Sequence, residues 1–308
     1  RMLSLAFSDK ALEVQRHVVI EEFKQTCLNR PYGDMSHHLR AMIYKQHPYR
    51  YPVIGKEISH IEKVTQDDVR EFFYSHYAPN NAVLAISGRI SLDETKRLAQ
   101  KWFEPIPQRD IAPRKYPQEP RQTEARMQEA KGNVPQLAMV KAYRMPGYGM
   151  PDYVECDVIT DLLASGRSSR FYRNLLMKTG VFTEIDASII GSDEPGFLML
   201  NSKLTNNDAT AITQADKLMK EEVQRIIDGD VSEYELTRTI NRFESNFMFS
   251  SMGFMAKAQS LANYVMHNED INGVVARYRS ITTDDISRVA KNIYDENNCS
   301  TLIYHPQN

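Results

Sequence analysis

Gln15, Val18 and Glu22 recur at spacings of three and four residues, which on a helix stacks them along one face. The stripe places a carboxylate, with an amide two turns before it, beside apolar neighbours. His17 and Glu21 form an i, i+4 pair that could share a metal, although the same spacing makes an ordinary surface ion pair. The other histidines are His37, His38, His47, His60, His76, His267 and His305, and neither HExxH nor HxxEH occurs. His37 and His38 are adjacent, so on a helix they diverge by about 100° and do not easily ligate one metal. Ser165-Gly166-Arg167-Ser168-Ser169 is small and polar; it would serve an anion at a helix N-terminus, but a helix-to-helix turn is the plainer reading. Tyr44, Tyr49 and Tyr51 read as packing. Without GxGxxG, GxxxxGK[ST] or GxSxG, nucleotide binding and serine hydrolysis lack their usual signals.

The first element that must position these groups is one amphipathic helix over 8–30. Ser8 and Asp9 are good N-caps, and Asn29-Arg30-Pro31 ends it. Leu12, Val19, Phe23 and Cys27 form its core face. A short helix over 37–45 and a proline-bounded loop over 47–52 follow. Thr65 with Asp67 and Asp68 starts a further helix that reaches about Tyr77, after which 78–81 turns. The apolar run 82–88 suits a buried strand, and 92–103 a helix carrying Trp102. From 105 to 120 prolines alternate with charges, as in a semi-rigid linker, and this is the expected domain boundary.

Beyond it, 124–130 and 137–143 read as strands joined in a hairpin through Gly132-Asn133. Helices are expected at 153–163 and 170–178. Strands over 182–190 and 197–204 flank the turn 191–196. Helices follow at 208–228, 232–249, 254–267 and 283–294, with a closing strand at 300–304. The pattern Thr65-Gln66-Asp67-Asp68, helix, Tyr77, turn, apolar run resembles Thr282-Thr283-Asp284-Asp285, helix, Tyr294, turn, strand. Two copies of one α+β unit account for this most simply, with the first, 1–104, short at its N-terminal end and the second, 121–308, complete.

The chain has 308 residues, 42% hydrophobic and 25% charged, which describes an ordinary globular protein. A net charge of −2 gives no electrostatic case for nucleic acid or an anionic membrane. No apolar run approaches the roughly 20 residues needed to span a bilayer. Cys27, Cys156 and Cys299 are far apart and form no CxxC, so they read as buried thiols and lean to a reducing compartment, cytoplasmic rather than periplasmic. The opening RMLSLAFSDK lacks the apolar core and cleavage site of a signal peptide, and its mid-pattern start predicts a piece of a longer chain, so it carries no information on localisation.

Four blocks together resemble the pitrilysin/insulinase family of zinc peptidases (M16, the inverzincins), which includes the mitochondrial processing peptidases. They are Gln15-Arg16-His17-Val18-Val19-Ile20-Glu21-Glu22; His47-Pro48-Tyr49-Arg50-Tyr51-Pro52-Val53-Ile54-Gly55; Val64-Thr65 through Tyr77-Ala78-Pro79-Asn80-Asn81-Ala82 to Ser87-Gly88; and Ser165-Gly166-Arg167-Ser168-Ser169-Arg170-Phe171-Tyr172. They occur in family order and span most of the chain. The resemblance implies an α+β fold of the LuxS/MPP-like metalloenzyme kind: two repeated units of antiparallel sheet backed by helices, the first incomplete here. It implies a zinc-dependent endopeptidase that cleaves peptides with metal-activated water, Zn2+ being held by two histidines of an upstream HxxEH whose glutamate activates the water. Glu22 matches the third zinc ligand, so this chain contains no catalytic residue of its own.

Two positions depart from the pattern. Where the family has an acidic residue seven before the ligand, this chain has Gln15, which can hydrogen-bond behind the metal ligand but supplies no charge. The Arg and Tyr with which the family holds substrate correspond to Leu198 and Thr205. Single-unit relatives often pair zinc on one chain with Arg/Tyr on another, so the resemblance implies a homologous partner chain. The isolated chain is then expected to be inactive. The alternatives are a catalytically silent subunit of a two-chain peptidase-like assembly and a metal-free binding domain.

Overall fold

A computed structural model describes residues 2–5 and 7–307. Among them the helices are α1 (Asp9–Phe23), α2 (Met35–Ile43), α3 (Ile58–Glu62), α4 (Gln66–His76), α5 (Leu92–Phe103), α6 (Tyr153–Ala164), α7 (Ala209–Ile227), α8 (Glu233–Ser250), α9 (Phe254–Met266), α10 (Val274–Arg279) and α11 (Thr283–Ile293). The strands are β1 (Arg126–Gly132), β2 (Ala138–Arg144), β3 (Phe182–Ile190), β4 (Phe197–Leu204) and β5 (Cys299–Pro306). The expected mixed α+β class is what forms.

The chain divides into two compact units built from discontinuous segments. One holds the described residues of Arg1–Thr26, Val53–Tyr116 and Ser245–Asn272, the other Cys27–Pro52, Pro117–Glu244 and Gly273–Asn308. This division does not follow the chain-order boundary expected at 105–120. That stretch has neither helix nor strand, yet it is tied down at both ends. Arg109 donates to the Tyr77 carbonyl at 2.7 Å in the first unit, and in the second Glu119 accepts the backbone N–H groups of Lys45, Gln46 and His47 at 2.7, 2.8 and 2.9 Å.

In the first unit α1 starts as expected, with Ser8 Oγ accepting from the Ala11 N–H at 3.2 Å. It does not stay one regular helix. After Phe23 the chain widens into a π-helical turn over Lys24–Leu28, where Thr26 Oγ1 donates to the Glu22 carbonyl at 2.7 Å. Of its expected core face, Phe23 and Cys27 are buried and Leu12 and Val19 half-buried. The α4 capping box is complete: Asp68 N–H donates to Thr65 Oγ1 at 3.2 Å and Thr65 N–H to Asp68 Oδ2 at 2.8 Å. The expected buried strand at 82–88 does not form. Among the described residues no strand pairs with it, so its backbone has no ladder and Val83, Leu84 and Ile86 are exposed.

The second unit is a five-stranded sheet in the order β1-β5-β2-β4-β3, antiparallel except for β1 beside β5. The expected β1–β2 hairpin is not made, because β5 lies between the two strands. Their burial explains the arrangement. Six of the seven β2 residues are buried, as suits a central strand with a neighbour on each edge, whereas β1 alternates between half-buried and exposed, as an edge strand does. One sheet face packs on α2 through Val140, Ala142, Phe197 and Leu302 against Leu39, Met42 and Ile43. On the other, α7 packs against β4, α6 against β3, and α11 against both helices. The α11 cap repeats the α4 cap: Asp285 N–H donates to Thr282 Oγ1 at 3.2 Å and Thr282 N–H to Asp285 Oδ2 at 3.1 Å.

Candidate functional site

α1 presents Gln15, Val18 and Glu22 on an exposed face, with Val18 53% exposed. The Glu22 carboxylate makes no hydrogen bond or ion pair among the described residues, nor does the Gln15 amide. Their neighbours are otherwise engaged. His17 Nε2 lies 3.1 Å from Glu13, and Glu21 accepts from Lys24 Nζ at 2.7 Å. The His17–Glu21 pairing read from sequence is therefore not made: each residue has a partner of opposite polarity at i−4 or i+3. Among the described residues no three His, Cys, Asp or Glu side chains come together in a way that could hold a metal ion. Glu22 is thus a single unencumbered carboxylate, chemically suited to zinc but one donor where a structural or catalytic zinc site needs three or four.

The remaining candidates have structural roles. His38 bridges Asp34 Oδ2 at 3.2 Å and Gln128 Nε2 at 2.7 Å, in line with its divergence from His37. His47 is buried; its Nδ1 accepts the Tyr49 N–H at 3.2 Å, and burial lowers its pKa. Tyr44 is packing, as expected. Its hydroxyl donates to the Pro195 carbonyl at 3.0 Å, its ring meets Tyr49 edge-on, and burial pushes its pKa up to about 12. The stretch Ser165–Ser169 is a turn between α6 and a π-helical segment, Phe171–Leu176. Gly166 adopts φ +80°, a conformation that calls for glycine, while the Arg242 guanidinium that a Cβ there would meet is the movable end of a side chain. Leu198 is fully buried on β4, and Thr205 is exposed just past its end. All three cysteines are buried and in no disulfide, and burial raises the Cys156 pKa to about 12, so Cys156 is not a reactive nucleophile.

One charged group was not singled out from sequence. Lys141 stands in the middle of β2, between Thr301 of β5 and Leu200 of β4, and is 5% exposed. It donates to Asp216 on α7, and Asp216 also takes Lys220 at 3.2 Å. Burial works against the Asp216 charge, but the two ammoniums prevail and hold its pKa below the usual range. The signal available in sequence was a lysine interrupting the apolar run Leu137–Tyr143.

Residues 63–243, more than half of the chain, match the family model described as "Peptidase M16 inactive domain". The zinc protease PqqE of Helicobacter pylori is 25% identical over 312 residues, covering 99% of this chain and 69% of that protein. A mitochondrial-processing peptidase subunit beta of Caenorhabditis elegans is 26% identical over 141 residues, covering 45% of this chain and 29% of that one. The crystal structure of a protease from Helicobacter pylori superposes with a TM-score of 0.88 at 21% identity, covering 99% of this chain and 74% of that one, which shows a shared fold. On the family model and the sequence blocks together, this chain belongs to the M16 peptidase family.

Proposed function

We propose that the chain is part of a zinc-dependent endopeptidase acting on peptides, with Glu22 as one protein ligand of the metal and Gln15 hydrogen-bonding behind it. The observation that carries this reading is the Glu22 carboxylate itself, exposed on α1 with no hydrogen bond or ion pair among the described residues and aligned with Gln15. Zinc, when bound by three protein ligands, keeps a position for water and lowers its pKa to about 7. The donors present here do not complete such a set, so the histidine ligands and the activating glutamate belong to an upstream HxxEH in a longer protein. The first repeat, 1–104, is then incomplete, a reading supported by the unpaired apolar run at 82–88 and by the 69% span of the Helicobacter relative. A homologous partner chain would supply the substrate-holding Arg and Tyr, since Leu198 and Thr205 occupy those positions here. A relative named as a subunit supports pairing.

A second reading, a catalytically silent partner subunit, is favoured by Gln15, which brings no charge, and by the matched model's own description as an inactive domain.

The isolated chain should hydrolyse no peptide and bind zinc only weakly, because a single carboxylate does not hold the metal tightly. Stoichiometric zinc in the isolated chain, measured by metal analysis after dialysis, would contradict this. In the longer protein, Glu22→Ala should remove both zinc and cleavage of a quenched-fluorescent peptide. If the unsubstituted longer protein holds no zinc and cleaves nothing, with and without its partner, the silent-subunit reading replaces the first.

A further inference from the structure

Arginines gather at one place in the second unit. A cavity of about 300 Å³, at the lower end of ligand-site volumes, lies between α7, the start of α8 and the segment that opens the π-helical stretch Phe171–Leu176. Four guanidiniums line it: Arg170 and Arg173 from that segment, Arg225 from α7 and Arg238 from α8. Among the described residues only two carboxylates do so, Asp230 and Glu235. Like charges gathered in a concave site repel one another until an anion enters, and the same excess raises the local concentration of anions.

Most of these donors are not consumed by the protein. Arg170 is the buried one, 8% exposed. Its Nε and Nη2 donate to Glu235 at 2.9 and 2.7 Å, and Nη2 also to the Asp230 carbonyl. That pairing uses up the Glu235 carboxylate and leaves Arg170 Nη1 with no acceptor among the described residues. Arg173 is exposed, and its guanidinium makes no hydrogen bond or ion pair among them. Arg238 reaches only the Ser168 carbonyl, at 3.3 Å. Arg225 meets Glu222, outside the lining, at 3.4 Å. Asp230 is then the single carboxylate left in the cavity for these arginines. A guanidinium is a planar fork that matches two oxygens of a phosphate, and such charge-assisted pairs are roughly twice as strong as neutral ones. An excess of two positive charges suits a dianion better than a monoanion.

We propose that this cavity binds a dianionic phosphate group, as the free ion or on a small phosphomonoester, through Arg173, Arg238 and Arg170 Nη1. The site is separate from Glu22 and independent of any zinc chemistry.

The test titrates inorganic phosphate into the chain by calorimetry at about pH 8, where phosphate is dianionic, with nitrate as the monoanion at matched ionic strength. Phosphate should bind saturably at one site and at least about tenfold more tightly than nitrate. Arg173→Gln and Arg238→Gln should each weaken phosphate binding about tenfold or more, the loss of one charge-assisted contact. Arg121→Gln, at an exposed position outside this lining, should leave it unchanged. Thermal unfolding without phosphate checks that each variant is folded; Arg173, which holds nothing in the protein, should pass. Glycerol 2-phosphate distinguishes the two sources: binding as tight as that of phosphate supports the monoester, and binding of phosphate alone supports the free ion. The proposal is overturned if phosphate does not saturate, if nitrate binds as well, if Arg173→Gln keeps the parent affinity, or if Arg121→Gln weakens binding as much as Arg173→Gln.

Discussion

A lysine in the middle of a central strand is the least expected residue in this chain, and its partner sets what it costs. Removing the carboxylate leaves Lys141 buried with no counter-charge, while removing the lysine leaves a half-exposed Asp216 still served by Lys220. Breaking a buried pair from the side that strands the charge is the expensive direction. Asp216→Asn should therefore destabilise the second unit by about 2–4 kcal/mol, and Lys141→Met by less than about 1 kcal/mol, in urea unfolding. Equal losses would mean that the pair is not what holds this site. Glu119 gives a pH-dependent counterpart. Burial raises its pKa, but the three backbone donors of 45–47 outweigh burial and hold it below the usual carboxylate value. A depressed folded-state pKa stabilises above the unfolded value, roughly 4.3, and that contribution is lost as pH falls through the folded value. Because Glu119 is only partly buried, so that solvent screens the interaction, Glu119→Gln should cost no more than about 1 kcal/mol at pH 7 and show a flatter loss of stability on acidification than the parent. Parallel pH profiles for the two proteins would refute that role.

The clearest element-scale regularity is the pair α4 and α11, each of 11 residues, each with a Thr–Asp capping box, each ended by a tyrosine and followed by a 3-10 turn. This repeat was legible in sequence because a cap is a local contract between residues three apart. What was not legible is what each helix packs on. α11 buries Ile286, Val289, Ala290 and Ile293, whereas α4 buries only Phe73. Thr282→Ala should consequently cost about 1 kcal/mol of global stability. Thr65→Ala should instead fray the start of α4, raising amide exchange in its first turn with little change in the unfolding midpoint. A global shift from Thr65→Ala as large as that from Thr282→Ala would show that packing does not govern the difference. Pairing between strands was illegible for a related reason. Gly132-Asn133 favours a hairpin locally, but β2, buried at six of its seven residues, needs two neighbours, and the second comes from β5, more than 150 residues later. The candidate site follows the same division. Glu22 and Gln15 stand on one helix and their stripe could be read from spacing, whereas Lys141 and Asp216 are 75 residues apart and only the fold joins them.

At the scale of the whole molecule the two units differ in how fully their apolar sequence is used. The second has a sheet with both faces covered and every strand of its pattern paired. The first has no strand among its described residues, although 82–88 has the composition of one. A run such as Val83-Leu84-Ala85-Ile86 is ordinarily ordered by a ladder, and without one its amides are open to water. Two exchange regimes should then coexist in one chain. Amides of β2 and β5 should exchange only through global opening of the second unit, because both strands are hydrogen-bonded on each edge. Amides of 83–86 should exchange orders of magnitude faster, close to the rate of an unstructured peptide. In a longer protein that carries the expected upstream part of the first repeat, the same four amides should become protected, since a sheet built there would take them as a strand. Protection of 83–86 already in this chain would mean that the run finds its ladder without any added segment, and the first unit would then have to be regarded as complete.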